Sequence, residues 1–425
     1  MRRTSAASAS FAVVALALSA CATAPPAPGP RYAPPPSPKP SSPRAPDAPP
    51  AARKPIARGE PLSSLPGWGQ EDHAAAFAAF QAGCGAAREE AMQRLCGLAR
   101  ASGPLADEPA KLFLESHLVA EASDEVGSLT AYFAPEYTAR AYPDAEYSAP
   151  VRSKPLGVSP FEPPRGPQPY ASLADDPIGA VLAASAKDEP VRSAYPPLSL
   201  DLANADRRAI ETSPPNGALA WMKPEELFFL QIQGSGVLTF PDGRRLRAAY
   251  AGDNGKPFVA IARPMVAEGK LLPNQASGDT IRNWLADHRG WQAREVMWKN
   301  PRYVFFSLST DDGSEPAGAA GTPLPAGRAI AVDPSRHAYG EVFWIDAEAP
   351  ILAGAFKSYR RLTVALDTGS AIRGEVRADL YMGRGDAAGA EAGRVRHSLK
   401  MMRLVPKETI RSAEAEAHET ALAAR

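Results

Sequence analysis

The 425-residue sequence predicts a mainly β fold of barrel type with a helical N-terminal part. From about Ser128 onward, apolar residues fall in short runs bounded by Gly, Pro, Asp and Asn: LTAYFAP, LFFLQIQGSGVLTF, RLRAAYAG, YVFFSL, GRAIAVD, GEVFWID, RLTVALDTG and VRADLYMG. Runs of this length with this punctuation read as strands. They follow one another through turns rather than regular helical crossovers, which favours barrels over a parallel α/β sheet. Before Ser128 the apolar residues recur at three and four instead, over roughly 70–101 and 108–122, the period of an amphipathic helix.

The first elements concern export. Met1, Arg2 and Arg3 are basic and Phe11 to Leu18 is apolar, which gives the charged and hydrophobic parts of a secretory signal over 1–20. The apolar run is too short to span a bilayer as a helix. It ends in Leu18, Ser19, Ala20 and Cys21, which looks like the lipobox of bacterial lipoproteins and makes Cys21 the candidate lipidation site. Each buried methylene of an attached acyl chain contributes roughly 0.8 kcal/mol, so two or more chains make a stable anchor. Ala22 stands where an aspartate often marks inner-membrane retention, so the expected location is the outer membrane, facing the periplasm. The rest of 21–58 is dominated by Pro, Ala and Ser, a composition that favours extended polyproline II over a core. At roughly 3 Å per residue, such a tether reaches on the order of 100 Å. Lys plus Arg and Asp plus Glu are balanced at 47 each, so no basic excess points to nucleic acid as a partner.

Residues 59–136 form the expected helical N-terminal part. With Cys21 lipidated, Cys84 and Cys96 remain, and an even pair in an oxidising compartment predicts a disulfide between two helices broken near Gly83 and Gly85. No further cysteine or histidine sits at ligand spacing, so neither a metal nor a cofactor is expected. In the β body, Pro241, Asp242 and Gly243 read as a hairpin turn and Thr280 to His288 as one helical interlude. Read as a strand, LQIQGSG puts Gln231 and Gln233 on one face. Their amides and Ser235 are candidate hydrogen-bonding groups, and Tyr132 and Tyr381 are candidate stacking rings, with ordinary packing favoured for Tyr381. Gly234 and Gly236 do not make a phosphate loop, because no helix start and lysine follow in the required place. No G-x-S-x-G elbow with a matching histidine supports a serine nucleophile. Residues 408–425 form a charged, Ala-rich tail.

Three aspartates carry the candidate chemistry. Asp333 and Asp367 stand at strand ends, before a proline and before Thr368, Gly369 and Ser370; each is as readily a turn-capping residue as a functional one. Asp379 differs, because it lies inside a strand between Arg377 and Tyr381, where an acidic residue weakens pairing.

These segments resemble the membrane-bound lytic murein transglycosylase A family, whose C-terminal part is a 3D domain named for three aspartates. Asp333, Asp367 and Asp379 fall on those positions, and AIRG at Ala371 to Gly374 matches a family AIKG. Upstream, SLTAYFAPEYTAR resembles the family's TGYYEP segment, FFLQIQGSGVLTFPDG resembles FFLQVQGSGRL, and AAYAGDNGKPF resembles GYAGQNGHPY. The similarity runs discontinuously from about Ser128 to Lys407. Ala131 replaces a glycine, Ser370 replaces the second glycine of DTGG, and Arg373 replaces lysine; the last keeps the charge but not the compact ammonium.

The resemblance implies a double-psi β-barrel built from 59–136 and 312–407, with a second β domain inserted over 137–311 and a glycan strand in the groove between them. It places the general acid and base on Asp379, with Asp367, Asp333 and Arg373 in support. Thr130 and Asn254 join Tyr132, Gln231, Gln233 and Ser235 as candidate substrate-binding residues. It also implies peptidoglycan glycan strands as substrate and leaves open a place in cell-wall enzyme complexes. Glycosidases that use water or a covalent intermediate generally need two carboxylates. A lytic transglycosylase needs one, because the substrate's own C6 hydroxyl attacks and a 1,6-anhydro end results. Two alternatives remain at this point: a non-catalytic peptidoglycan-binding lipoprotein, and a hydrolytic muramidase using Glu375 or Asp367 as the second carboxylate.

Overall fold

The computed structural model describes residues 59–121, 123–155, 191–352 and 354–409. The signal segment, Cys21, the Pro-rich tether and all but the start of the charged tail lie outside these residues. The chain opens with strand β1 (Gly59–Pro61) and helices α1 (His73–Gly83), α2 (Glu90–Ser102) and α3 (Asp107–His117), then enters the main sheet through β2 (Leu118–Glu121) and β3 (Gly127–Ala134). A second lobe follows, with β4 (Glu136–Thr138), β5 (Ala149–Arg152), short helices α4 (Leu200–Ala203) and α5 (Arg207–Glu211), β6 (Ala218–Met222), α6 (Pro224–Gln233), β7 (Ser235–Thr239) and β8 (Arg245–Asp253). Helices α7 (Ala262–Ala267), α8 (Gly278–Asp287) and α9 (Trp291–Met297) and strand β9 (Val304–Thr310) complete it. The return to the main sheet runs through β10 (Ala329–Ala331), β11 (Val342–Glu348), β12 (Ser358–Asp367), β13 (Arg377–Arg384), α10 (Gly385–Ala392) and β14 (Arg396–Pro406).

The main sheet has the order β1-β2-β14-β11-β12-β10-β13-β3, and β3 pairs back onto β14. Six strands, β14, β11, β12, β10, β13 and β3, therefore close into a barrel. Most neighbours are antiparallel, but β3 with β13 and β10 with β12 are parallel. Leu129, Ile330, Phe343, Ile345, Ala378, Leu380 and Leu399 form one core, the barrel interior. The alternate residues Trp344, Leu362, Val364, Tyr381 and Leu404 face outward and pack with Phe77, Phe80 and Leu114 of the helices. Burial on both faces explains continuous runs such as VFWI and LTVAL, where a half-exposed strand would alternate. Helix α1 is alanine-rich and comes very close to the barrel: a Cβ on Gly83 would lie 2.4 Å from Val364 Cγ1. Phe80, 1 % exposed, anchors this contact, and truncating it to alanine costs about 3–5 kcal/mol. Cys84 and Cys96 are bonded, with a Cα separation of 5.5 Å, joining the end of α1 to α2.

The second lobe corrects the sequence-based expectation. LFFLQIQ is not a strand but the body of α6, with Pro224 at its start, Glu225 and Glu226 in its first turn and Gly234 at φ +83° ending it. An apolar run of that length fits a buried helix as well as a buried strand, and the start and stop signals decide between them. The lobe is also less purely β than expected. It has a four-stranded sheet β4-β7-β8-β9 and a β5-β6 pair, and α7 and α9 accompany the expected helix near Thr280. Residues 118–121 form strand β2 rather than the end of a helix. The turn at Pro241 to Gly243 joins β7 to β8, with Gly243 N donating to Phe240 O at 3.0 Å. No helix among the described residues is long and apolar enough to cross a membrane.

Candidate active site

Asp379 lies mid-way along β13, opposite Ala331 of β10 on one side and Thr130 of β3 on the other. Strand alternation sends Ala378 and Leu380 into the barrel and Arg377, Asp379 and Tyr381 outward. Thr130 Oγ1 donates to Asp379 Oδ1, and Arg377 Nη2 donates to Thr130 Oγ1 at 2.8 Å. Asp379 is only half-buried by surface exposure, so one side of it stays approachable. Its poorly solvated position still pushes the carboxyl above the usual range, against the opposing charge of Arg377 and the Thr130 hydrogen bond.

Asp367 closes β12, across Ala331 from Asp379. Two strand spacings put the two backbones about 10 Å apart. Asp367 Oδ1 accepts from Ala319 N and Thr368 N, both at 2.9 Å, and Oδ2 accepts from Tyr132 Oη at 2.6 Å. Burial raises this carboxyl too, with those three donors opposing and the neighbouring Asp379 adding to the rise. The Tyr132 ring lies 5.3 Å from that of Tyr381, whose hydroxyl donates to Glu315 at 2.6 Å. Tyr381 is fully buried, so packing is its role.

Asp333 is held differently. Its Oδ1 accepts from Ser335 N at 3.1 Å and Ser335 Oγ at 2.8 Å, its Oδ2 accepts from Gly374 N at 2.8 Å, and Arg373 Nη1 lies 3.5 Å away. Burial acts to raise this carboxyl, but the Gly374 N–H, Ser335 and the Arg373 charge outweigh it and hold it below the usual range. Asp333 thus ties the turn after β10 to the AIRG segment and keeps the anionic form.

Several candidates in the second lobe take structural positions. Gln231 is buried in α6, where its Nε2 donates to Val304 O at 3.1 Å and its Oε1 accepts from Arg207 at 2.5 Å. Asn254 is 3 % exposed; its Nδ2 donates to Ala205 O at 2.7 Å and Pro301 O at 2.8 Å, and its Oδ1 accepts from Tyr303 N at 2.9 Å. Both amides are buried and bonded to groups of the second lobe, which gives them a role in holding that lobe together. A helix also breaks the shared strand face expected of Gln231 and Gln233. Gln233 instead spans the lobes, its Oε1 accepting from Phe133 N at 3.0 Å. Ser235 is half-buried at the start of β7. Next to it Gly236 is obligatory, because a Cβ there would lie 2.7 Å from Pro135 O. Sequence reasoning passed over Arg377 and Glu315; for Arg377 the signal was present, since it shares the period-two face of Asp379. Glu375 is exposed, and its carbonyl accepts from His337 Nε2 at 2.7 Å.

Residues 128–307 match the family model described as the MltA specific insert domain, and residues 328–405 match the 3D domain. Membrane-bound lytic murein transglycosylase A of Vibrio cholerae is 34% identical over 184 residues, 42% of this chain and 48% of that protein. The Escherichia coli K12 protein of the same name is 35% identical over 175 residues, 40% of this chain and 47% of that one. The chain therefore spans about half the length of these curated relatives. The crystal structure of a membrane-bound lytic murein transglycosylase from Agrobacterium tumefaciens is similar with a TM-score of 0.65 at 31% identity, over 84% of this chain and 99% of that one. Neisseria gonorrhoeae MltA, in its monoclinic form, gives 0.63 at 27% identity, over 85% and 97%. Similarity that spans both lobes and nearly the whole of a solved relative leaves one assignment: the chain belongs to the membrane-bound lytic murein transglycosylase A family.

Proposed function

We propose that this chain cleaves the β-1,4 bond between MurNAc and GlcNAc in peptidoglycan and leaves 1,6-anhydroMurNAc ends, with Asp379 as the single acid and base. The observation that carries this is the state of Asp379: an approachable strand carboxyl, raised by burial, with one hydroxyl donor on one oxygen. Burial favours the protonated form from which a general acid must start. Asp379 gives its proton to the glycosidic oxygen, and the bond from MurNAc C1 to that oxygen breaks as GlcNAc leaves. The resulting carboxylate takes the proton of the MurNAc C6 hydroxyl as its oxygen bonds to C1. No water enters, and the two products together have the composition of the substrate. An intramolecular nucleophile is pre-positioned, and good orientation supplies several kcal/mol of barrier reduction.

Hydrolysis needs a second carboxylate free to activate water, and Asp367 is the neighbour in place. Three donors already occupy both of its oxygens, which favours the single-acid reading. The two parallel pairings inside an otherwise antiparallel six-stranded barrel support a double-psi winding. The names of the relatives support membrane association, which we assign to a lipid on Cys21 in the outer membrane, with the enzyme facing the periplasm. Digestion of purified peptidoglycan in oxygen-18 water tests the reaction. The expected muropeptides are lighter by one water than muramidase products and carry no label; label at C1 of new MurNAc ends overturns the proposal in favour of hydrolysis, and no release favours a binding lipoprotein.

A further inference from the structure

We infer that Arg377 is a positioning residue that, through Thr130, fixes which oxygen of Asp379 carries the shuttled proton. A guanidinium can only donate hydrogen bonds, and a hydroxyl has one proton and two lone pairs. Because Arg377 Nη2 donates to Thr130 Oγ1 at 2.8 Å, the threonine proton is directed elsewhere, and Asp379 Oδ1 is its acceptor. With Oδ1 accepting, a proton on that oxygen would face the Thr130 proton, so the acidic proton sits on Oδ2. When Oδ2 gives its proton away, the Thr130 bond becomes charge-assisted and steadies the carboxylate that must next act as base.

Arg377 is pinned for this task. Its Nη1 donates to Ala378 O and, at 3.4 Å, to Ser128 O, so one planar fork grips both β13 and β3 beside the acid. The half-buried guanidinium is poorly solvated, which lowers its pKa from the ordinary range, with the Asp379 charge opposing. The other charged or titratable groups around Asp379 come from each packed element: Asp367 from β12, Tyr132 from β3, and Glu315 from the segment before β10, through Tyr381 of β13. Among the described residues around Asp379, Arg377 is the cation whose charge opposes the rise of its carboxyl.

This inference rests on Asp379 as the acid, and the test separates the two. The full chain, labelled with 13C at aspartate carboxyls and assigned through Asp379→Asn, gives the Asp379 titration by NMR; kcat, KM and their pH profiles are measured in parallel. In Arg377→Gln, the Asp379 titration and the base-side limb of kcat move to higher pH, and kcat falls roughly tenfold with KM little changed, less than the 10²-fold or more lost with an acid-base group. Arg377→Lys keeps the charge and returns the limb toward the wild-type position, but without the fork it does not restore kcat. Thr130→Val loses kcat similarly, and Arg377→Gln adds nothing to it, since the two act in series. Unmoved titration and kcat in a folded Arg377→Gln protein, or additive losses in the double variant, overturn the inference. Retained turnover in Asp379→Asn overturns the acid assignment instead, and the shift of the Asp379 titration in Arg377→Gln then decides the relay alone.

Discussion

Asp333 and Asp379 sit on or just beyond two strands that run side by side, β10 and β13, yet the protein treats their carboxyls in opposite ways. Asp333 meets three hydrogen-bond donors and an arginine, and its carboxyl is held below the usual range. Asp379 meets one hydroxyl, and its carboxyl is pushed above that range. Asp367 lies between the extremes, with three donors but a raised carboxyl. The donors on Asp333 fix a turn and hold the anion, whereas Asp379, with one oxygen free of such donors in a poorly solvated place, has its neutral form favoured.

The largest effect that tests this contrast is on turnover. Asp379→Asn keeps the shape and the Thr130 contact but cannot shuttle a proton, so a loss of 10²-fold or more in kcat is expected. Stability should not fall with it. A carboxyl raised in the folded state favours its neutral form there, so stability declines as pH rises from the unfolded value, ordinarily 3.8, through the raised one, and a neutral amide removes that decline. Turnover above about a tenth of wild type, or a clear drop in melting temperature at neutral pH, breaks the contrast from the Asp379 side.

Asp333→Ala comes next and should act on the fold. The Gly374 N–H and Ser335 lose their acceptor, and leaving a buried donor unpaired costs about 1–3 kcal/mol. The pH dependence has the opposite sign to that of Asp379. A depressed carboxyl contributes stability that is present above the unfolded pKa and lost as pH falls through the folded one, so wild type and variant should converge in acid. Denaturant melts at neutral pH and well below 3.8 check both points; an equal gap at the two pH values would show that the contribution is not that of the anion.

Much of this contrast was legible in the sequence, and the remainder has physical reasons. An aspartate before a proline at a strand end carries its structural meaning locally, as Asp333 does, and Asp379 stood out because a mid-strand carboxylate is anomalous wherever the strand pairs. The helical hairpin around Cys84 and Cys96 was visible in its period, and the barrel strands in their runs. Helix α6 was not, because an element buried on all sides shows no period, and the decisive signals lay at Pro224 and Gly234, outside the apolar run. Strand β14 was also missed, since its inward residues His397, Leu399 and Met401 alternate with Arg396, Ser398 and Lys400 and read as a polar stretch. Gln231 and Asn254 show a third reason: an amide type shows a capacity to hydrogen-bond, and only the fold shows that both amides donate to backbone carbonyls.

The smallest expected effect lies on the same strand face as Asp379. Tyr381 is two residues from Asp379, so β13 presents both outward, and a row of ring and carboxyl invites the idea that the ring stacks on sugar. Its surroundings argue otherwise: the side chain is fully buried with Trp344, Leu362 and the α1 phenylalanines, and its hydroxyl donates to Glu315. Burial and the Glu315 carboxylate both raise the phenol well above its usual range, so it stays neutral and gives the site no charge. Tyr381→Phe keeps the packing and removes one hydrogen bond to a charged acceptor, so a loss of about 1.5–3 kcal/mol at most is expected, and less if water reaches half-buried Glu315. Turnover per folded molecule and KM for peptidoglycan fragments should stay within about twofold of wild type, since the fully buried ring keeps its packing and only the bond to Glu315 is lost. A rise in KM without a fall in melting temperature would mean that the hydroxyl reaches substrate. The functional part of the β13 face would then extend one residue pair beyond Asp379.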